Sequence, residues 1–506
     1  MLPFDKKMNL PLTDALMQFN ASGRFSWHMP GHRNGRQWPE LFRENLYLLD
    51  ATELHQTDDL LNPVGPAGKS LKMAARFCGA GWTRYITCGS TCGILALLAA
   101  CPGHGGRILV SRASHQSVLH AAMLLDLQIG WIEASLWPEL YSDDSVPQPL
   151  LPQVGVADFR RAVASFGSYD AVFLTSPDYY GSCAQIKEIA DEAHAVGAVV
   201  LVDEAHGAHL SLGSEFLPAS AMRQNADACV QSAHKTLPAL TPASLLHVSE
   251  SAIANGRIDP GTVNAMLKIF HTSSPSFLIA ASIEVSLDWL KYSGHGFIKQ
   301  QMLNIEWLGQ NLAGVVQVTG TAVTKPNCAD RDPLRIMMTM PDAISAADIN
   351  LKLQGQNIDV EMSDLRRLIL IPAIDQTRQE YLILAEALRS IIDGLPEHVL
   401  YSTAKNEGKS SIAETEASWR QMMCRKPNMI LQASQLMPGL MKTEQIDVSQ
   451  SVGRVSARAV VPYPPGIPLL WPGEHIDAEM LALITALRQN GVGLTGIEHE
   501  MVTVLV

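Results

Sequence analysis

Two short runs in this chain hold the residues best suited to chemistry. Asp203-Glu204-Ala205-His206-Gly207-Ala208-His209 follows the apolar run Ala198-Val199-Val200-Leu201-Val202, and Ser232-Ala233-His234-Lys235-Thr236 follows Ala226-Asp227-Ala228-Cys229-Val230. Each apolar run reads as a buried parallel strand, so a carboxylate and a lysine emerge at strand carboxyl ends, the edge where open α/β sheets bind ligands. A carboxylate buried there is costly unless it meets a cation. A lysine near its ordinary pKa of about 10.4 is a weak nucleophile until its surroundings lower that value. A protonated pyridine nitrogen beside Asp203 and a Schiff base on Lys235 would answer both needs, and pyridoxal phosphate (PLP) requires both. The plainer roles are a helix N-cap for Asp203 and a surface position for Lys235. The apolar stretch Leu237-Pro238-Ala239-Leu240 argues against an exposed lysine.

Two further groups fit a flat, phosphorylated cofactor. Gly89-Ser90-Thr91-Cys92-Gly93 follows a strand and opens a helix, where small residues, hydroxyls and free N–H groups suit a phosphate. Its spacing matches neither the dinucleotide fingerprint nor the Walker loop, and Ser or Thr there also serves as a plain N-cap. In Ser114-His115-Gln116-Ser117 the histidine sits where it would stack on an aromatic ring or simply cap a helix.

The elements that must hold these residues are legible in the periodicity. Strands are expected at 83–88, 107–111, 129–134, 171–175, 198–202, 228–231 and 244–248, with helices between them, such as 186–196. This is the alternation of a doubly wound α/β domain with a mostly parallel seven-stranded sheet. It spans 70–285, after an N-terminal arm at 1–69 that includes a short amphipathic helix at 13–19. A helix from 276 to about 290 leads into a smaller α+β domain at 286–400, and the polar stretch 401–418 reads as a linker to a final α+β unit at 419–506.

At 506 residues the chain exceeds a single core, and about two to four domains are expected. A hydrophobic share of 47% with 17% charged residues describes a globular protein, and a net charge of −12 argues against nucleic acid as a partner. Eight scattered cysteines form no CxxC pair or Cys/His cluster, so no metal is expected and the thiols read as free in a reducing cytoplasm. No signal pattern or membrane-spanning apolar run appears.

Five separated segments occur together: Trp27-His28-Met29-Pro30-Gly31-His32-Arg33-Asn34-Gly35, Thr57-Asp58-Asp59-Leu60, the 203–209 run, Ser232 to Thr236, and 463–474 with Trp471-Pro472-Gly473-Glu474. In this order they resemble the PLP-dependent ornithine/lysine/arginine decarboxylases of the aspartate-aminotransferase fold (fold type I), in the short form without an N-terminal receiver-like domain. The resemblance covers nearly the whole chain. It implies that Lys235 carries the cofactor and Asp203 pairs with its ring nitrogen. His115 would stack on the ring and His206 would lie by the phenolic oxygen. Ser90, Thr91, Ser232 and His234 would hold the phosphate. Thr272 would reach the phosphate of a neighbouring subunit, which implies a homodimer with shared sites, and Glu474 would meet the distal cation of a basic amino acid. Arg33, Gln116 and Pro242 depart from the residues usual at those places.

The resemblance leads us to expect decarboxylation of a basic L-amino acid for polyamine metabolism, with Lys235 or His234 returning a proton to the α-carbon. Arginine is favoured over lysine and ornithine because the shorter members often act on it. Two alternatives stay open on sequence. One is another fold-type-I reaction, aminotransfer or Cα–Cβ cleavage, with Arg366-Arg367 clamping the α-carboxylate. The other is a catalytically silent regulatory homologue, against which the intact Lys235, Asp203 and His115 speak.

Overall fold

The structure is a computed structural model that describes residues 10–36, 38–135, 153–319, 331–341, 344–395, 411–437, 439–463 and 466–506. Residues 401–410 of the expected linker, Cys328, and Pro464-Pro465 of the last motif lie outside these residues.

Eight strands concern the site: β1 (Phe25–Trp27), β2 (Trp82–Ile86), β3 (Arg107–Ser111), β4 (Gln128–Ile132), β5 (Ala171–Thr175), β6 (Val199–Asp203), β7 (Ala228–Gln231) and β8 (Ser244–Val248). β2 to β8 form one seven-stranded sheet in the order β2-β8-β7-β6-β5-β3-β4. β8 runs antiparallel to both its neighbours and every other pair is parallel. The central strands β6 and β7 are buried at every position, as expected where helices cover both faces of a parallel sheet. One apolar cluster joins Ile86, Val110, Phe173, Leu201 and Val230 on one face, and another joins Leu109, Val172, Val200 and Cys229 on the opposite face.

The helix expected to end near residue 290 continues as one element, Phe277–Leu312. Its buried positions run on through Leu290, Gly294, Ile298, Met302, Ile305, Leu308 and Leu312. That three-and-four spacing keeps one apolar stripe against the core across the Gly294 and Gly296 interruption. The helix leads to a four-stranded antiparallel sheet in the order β12-β13-β10-β9, built from β9 (Gln317–Val318), β10 (Ile336–Thr339), β12 (Met362–Ser363) and β13 (Arg367–Leu370). Between them β11 (Ile358–Val360) pairs with β1, parallel, Phe25 opposite Ile358 and Trp27 opposite Val360.

The stretch read as a linker also differs at its end. Ile412–Cys424 is a helix capped by the Ser411 hydroxyl with Glu414 reciprocating, a capping box. It packs with the helix Ala478–Gln489 over the strands Thr443–Asp447, Met501–Leu505 and Ile497–Glu498. Among the described residues no helix is long and apolar enough to cross a membrane.

Candidate active site

Asp203 is the last residue of β6, paired with Val230 of β7, and Lys235 lies in the short helix Ala233–Thr236 that follows β7. The two expected residues therefore leave adjacent parallel strands at the same edge. Asp203 is only 4% exposed. Its Oδ1 accepts the Ala205 N–H at 3.0 Å, and no other described group of the chain donates to this carboxylate. Burial lowers the pKa of Lys235, with Arg335 adding to the effect and Asp203 and Glu361 opposing it.

The N-terminal arm closes over this lysine. The Gly31 N–H donates to the His234 carbonyl at 2.9 Å. A Cβ on Gly31 would stand 2.6 Å from the Leu237 carbonyl oxygen, so only glycine lets the arm lie this close. Arg33, one of the departures, is buried in an ion pair with Glu380, which Arg36 joins at 3.0 Å. This pins the arm to the helix Arg378–Asp393. The other departures are local: Gln116 opens a helix and Pro242 follows a cis peptide bond.

His206 is buried beside Lys235, with Nε2 at 3.1 Å from the lysine Nζ. Its Nδ1 and its carbonyl oxygen both accept from Arg335 Nη2, at 3.1 and 3.0 Å. Burial, then the lysine and arginine charges, push the His206 pKa well down. Tyr179 packs edge-on against the His206 ring at 4.9 Å and donates its hydroxyl to Glu361, which also accepts the Met29 N–H at 2.9 Å. His234 donates Nδ1–H to the Ala243 carbonyl at 2.8 Å, and burial lowers its pKa to about 4. His115 caps the helix Gln116–Leu125 and accepts from Ser117. Burial lowers its pKa too, while the Asp203 charge raises it and the Lys235 charge adds to the lowering, so His115 faces the same centre.

Ser90 and Thr91 open the helix Ser90–Ala100, with Gly89 as N-cap at φ +90°. β2 points the same way as β7, so this helix start lies at the Lys235 edge of the sheet. Ser232 Oγ is buried without a hydrogen-bond partner. An orphaned buried hydroxyl, a helix N-terminus, a carboxylate with acceptor capacity to spare and a lysine of lowered pKa together match the donor set PLP needs. Thr272 is exposed, and its neighbour His271 accepts the Thr87 N–H at 3.0 Å, close in sequence to the chain's own Gly89-Ser90-Thr91 turn.

Glu474 takes a different place from the one expected. Both its oxygens accept from Arg112 Nη2, at 2.9 and 3.0 Å, and the Trp471 N–H adds a third bond at 2.9 Å. The carboxylate is 3% exposed and already neutralised within the chain, so Arg112 takes the part expected of a substrate cation. Arg366 and Arg367 are committed as well. Arg367 binds Asp364 and Glu416, and Arg366 donates to the Met340 carbonyl. Arg335, Glu361 and Tyr179 went unnoticed in the sequence, and Glu204 was given no role of its own. The one signal for Arg335 was a charged run, Arg331-Asp332-Pro333-Leu334-Arg335, set directly before the apolar strand Ile336–Thr339.

Similarity to known proteins agrees with this geometry. The family model described as the Orn/Lys/Arg decarboxylase major domain matches residues 10–334, and that of the C-terminal domain matches 416–505. The chain is 32% identical to an uncharacterized Bacillus subtilis protein, YaaO, over 95% of this chain and 94% of that one. It is 27% identical to an arginine decarboxylase of Bacillus anthracis, over 96% and 95%. Its fold matches the constitutive lysine decarboxylase of Escherichia coli with a TM-score of 0.73 at 20% identity, covering 98% of this chain and 82% of the other. The chain belongs to the ornithine/lysine/arginine decarboxylase family and is a PLP-dependent amino-acid decarboxylase.

Proposed function

We propose that this enzyme converts a basic L-amino acid, arginine ahead of lysine and ornithine, to the corresponding amine and carbon dioxide, serving polyamine synthesis in the cytoplasm. The observation that carries the reading is the Asp203–Lys235 pair on neighbouring strand ends, closed over by the Gly31 arm. The lean to arginine rests on a relative named arginine decarboxylase that aligns over nearly its full length.

In this reading Lys235 holds PLP, Asp203 keeps the ring nitrogen protonated, and His115 covers the ring. Ser90, Thr91, Ser232 and His234 surround the phosphate, and Thr272 of a second subunit completes that cup in a homodimer. Bound there, the cofactor supplies the electron sink that lets a carboxylate leave as carbon dioxide. The protein's own task is to place that carboxylate, keep water out and return a proton to the α-carbon. Lys235 Nζ suits the proton transfer, because burial lowers its pKa and a lysine so placed gives up its proton more readily than an exposed one. Arg366 and Arg367 are engaged elsewhere, which removes the carboxylate clamp that favoured aminotransfer.

Incubating the purified protein with PLP and each of arginine, lysine and ornithine, then identifying the amine released, tests the substrate. Agmatine as the dominant product is expected, and cadaverine or putrescine in its place would overturn the lean. Lys235→Ala should lose the visible absorbance of bound PLP and lower turnover by at least about 1,000-fold, as loss of a covalent catalytic group does. A Lys235→Ala protein with full turnover would sink the assignment.

A further inference from the structure

His206 is held from behind by a group that can only donate. A guanidinium has N–H groups and no acceptor. Arg335 Nη2 lies 3.1 Å from His206 Nδ1 and 3.0 Å from the His206 carbonyl oxygen, so its two hydrogens serve two acceptors on one residue. Nδ1 must then be the bare nitrogen. A neutral imidazole with a bare Nδ1 carries its proton on Nε2. That N–H faces the Lys235 Nζ at 3.1 Å. An ammonium has no lone pair to receive it, whereas a free amine does.

The donor is itself fixed. Arg335 is 1% exposed, its backbone N–H donates to the Asp332 carbonyl at 3.1 Å, and its Nη1 stands 3.9 Å from the Asp332 carboxylate. Asp332 in turn meets His209, the last residue of the 203–209 run, at 3.2 Å, with both side chains fully buried. A chain of fixed polarity therefore runs from Arg335 through His206 to the lysine.

We propose that Arg335, acting through His206, holds Lys235 as a free amine, so that the lysine meets an incoming carbonyl without first shedding a proton. Arg335 is thus a positioning residue for imine formation, in which Nζ bonds the aldehyde carbon and the oxygen leaves as water. The groups that act on Lys235 from the surrounding elements are Asp203, His206, Arg335, Glu361, His115 and His234. Asp203 and Glu361 pull towards the ammonium, and burial with the Arg335 charge works against them. The direction of the Nε2–H bond decides between them. The inference rests on the reading of Lys235 as the cofactor-bearing residue.

Its test uses the full-length chain freed of cofactor, with Lys235 acetylated by limiting acetic anhydride and the labelled peptide quantified by mass spectrometry. In Arg335→Met, Lys235 should acetylate about tenfold more slowly at neutral pH, the change in free-amine fraction that one unit of basicity brings. Arg335→Lys, which keeps a buried donor and charge, should restore most of the rate. A purely structural role predicts the opposite, since a loosened site exposes the lysine and speeds its labelling. An unchanged or faster rate in a folded Arg335→Met protein overturns the proposal. Wild-type protein labelled with nitrogen-15 histidine gives a second measurement that needs no Arg335 variant to fold. The His206 signal, assigned by its loss in His206→Gln, should show Nδ1 bare and Nε2 protonated, and the reverse tautomer refutes the chain. If the wild-type protein takes up no PLP, the cofactor reading falls, and neither cofactor-free measurement depends on that result.

Discussion

At the scale of single residues, Asp203 shows how position makes chemistry. An aspartate closing a fully buried strand would be a liability with no cation to meet, yet among the described residues only one backbone N–H answers it. In the proposed site its spare acceptor capacity answers the cofactor's ring nitrogen, and the fold draws on it for a single bond. Asp203→Asn should keep the cooperative unfolding of the parent and lose about 100-fold or more in turnover, the order expected when one preorganised charge is removed from an active site. Comparing thermal unfolding with turnover checks both halves, and a variant equally impaired in the two would show that Asp203 serves structure. His234, His206 and His115 reach neutrality by burial, each with its pKa lowered from that of a free imidazole. Three rings and one lysine, all of lowered pKa, leave the site with few fixed cations, which suits the cationic side chain of the substrate in the proposed reaction.

At the scale of elements, a hydrogen-bonded chain crosses the sheet beneath the site. Thr83 on β2 bonds His247 Nδ1 on β8 at 2.8 Å, and His247 Nε2 donates to Gln231 of β7 at 3.2 Å. Gln231 donates to Glu204 at 2.7 Å, and Glu204 also accepts the Ala221 N–H at 2.7 Å. Glu204 follows Asp203, so the chain braces the end of β6. His247 is wholly buried, and burial lowers its pKa to about 3. Its folded-state pKa lies below its unfolded one, so the unfolded chain binds the proton first and stability falls as pH drops below the unfolded value. Between about pH 7 and about pH 5 this residue alone should cost about 2 kcal/mol. His247→Gln, read by urea unfolding at both pH values, should show a correspondingly smaller loss on acidification. The strands were legible because each is a short apolar run bounded by turn residues: 107–111, 171–175, 228–231 and 244–248 fall where expected, and β6 is shifted by one residue so that it ends on Asp203. The antiparallel sense of β8 and the length of the helix Phe277–Leu312 were not, since neighbouring strands and the far wall of a core decide them. Arg335 and Glu361 escaped for a related reason: each reaches the site from the small sheet across more than a hundred residues of chain, and no local pattern records such a contact.

At the scale of the molecule, the C-terminal unit is tied to the sheet through the loop that carries His115. Arg112, three residues before that histidine, donates to the Leu469 carbonyl and to Glu474. Burial raises the Glu474 pKa, and Arg112 with the Trp471 N–H counters it. Removing one partner of a buried pair strands the other, so Glu474→Ala should lower stability by about 3–5 kcal/mol. It should also disturb His115 while leaving the ranking of basic substrates unchanged. Urea unfolding and kcat/KM for each amino acid decide this, and a variant of normal stability with selectively weakened substrate binding would return Glu474 to the place the sequence suggested. The pairing of β1 with β11 has a consequence for how the protein is made. Phe25 leaves the ribosome early but finds Ile358 only after about 330 further residues have followed, so the arm waits through most of synthesis with its strand edge open. Chains halted before residue 358 would carry Gly31 and its neighbours unanchored at that edge. A nascent polypeptide of this protein therefore acquires its finished lysine pocket only in the last third of translation.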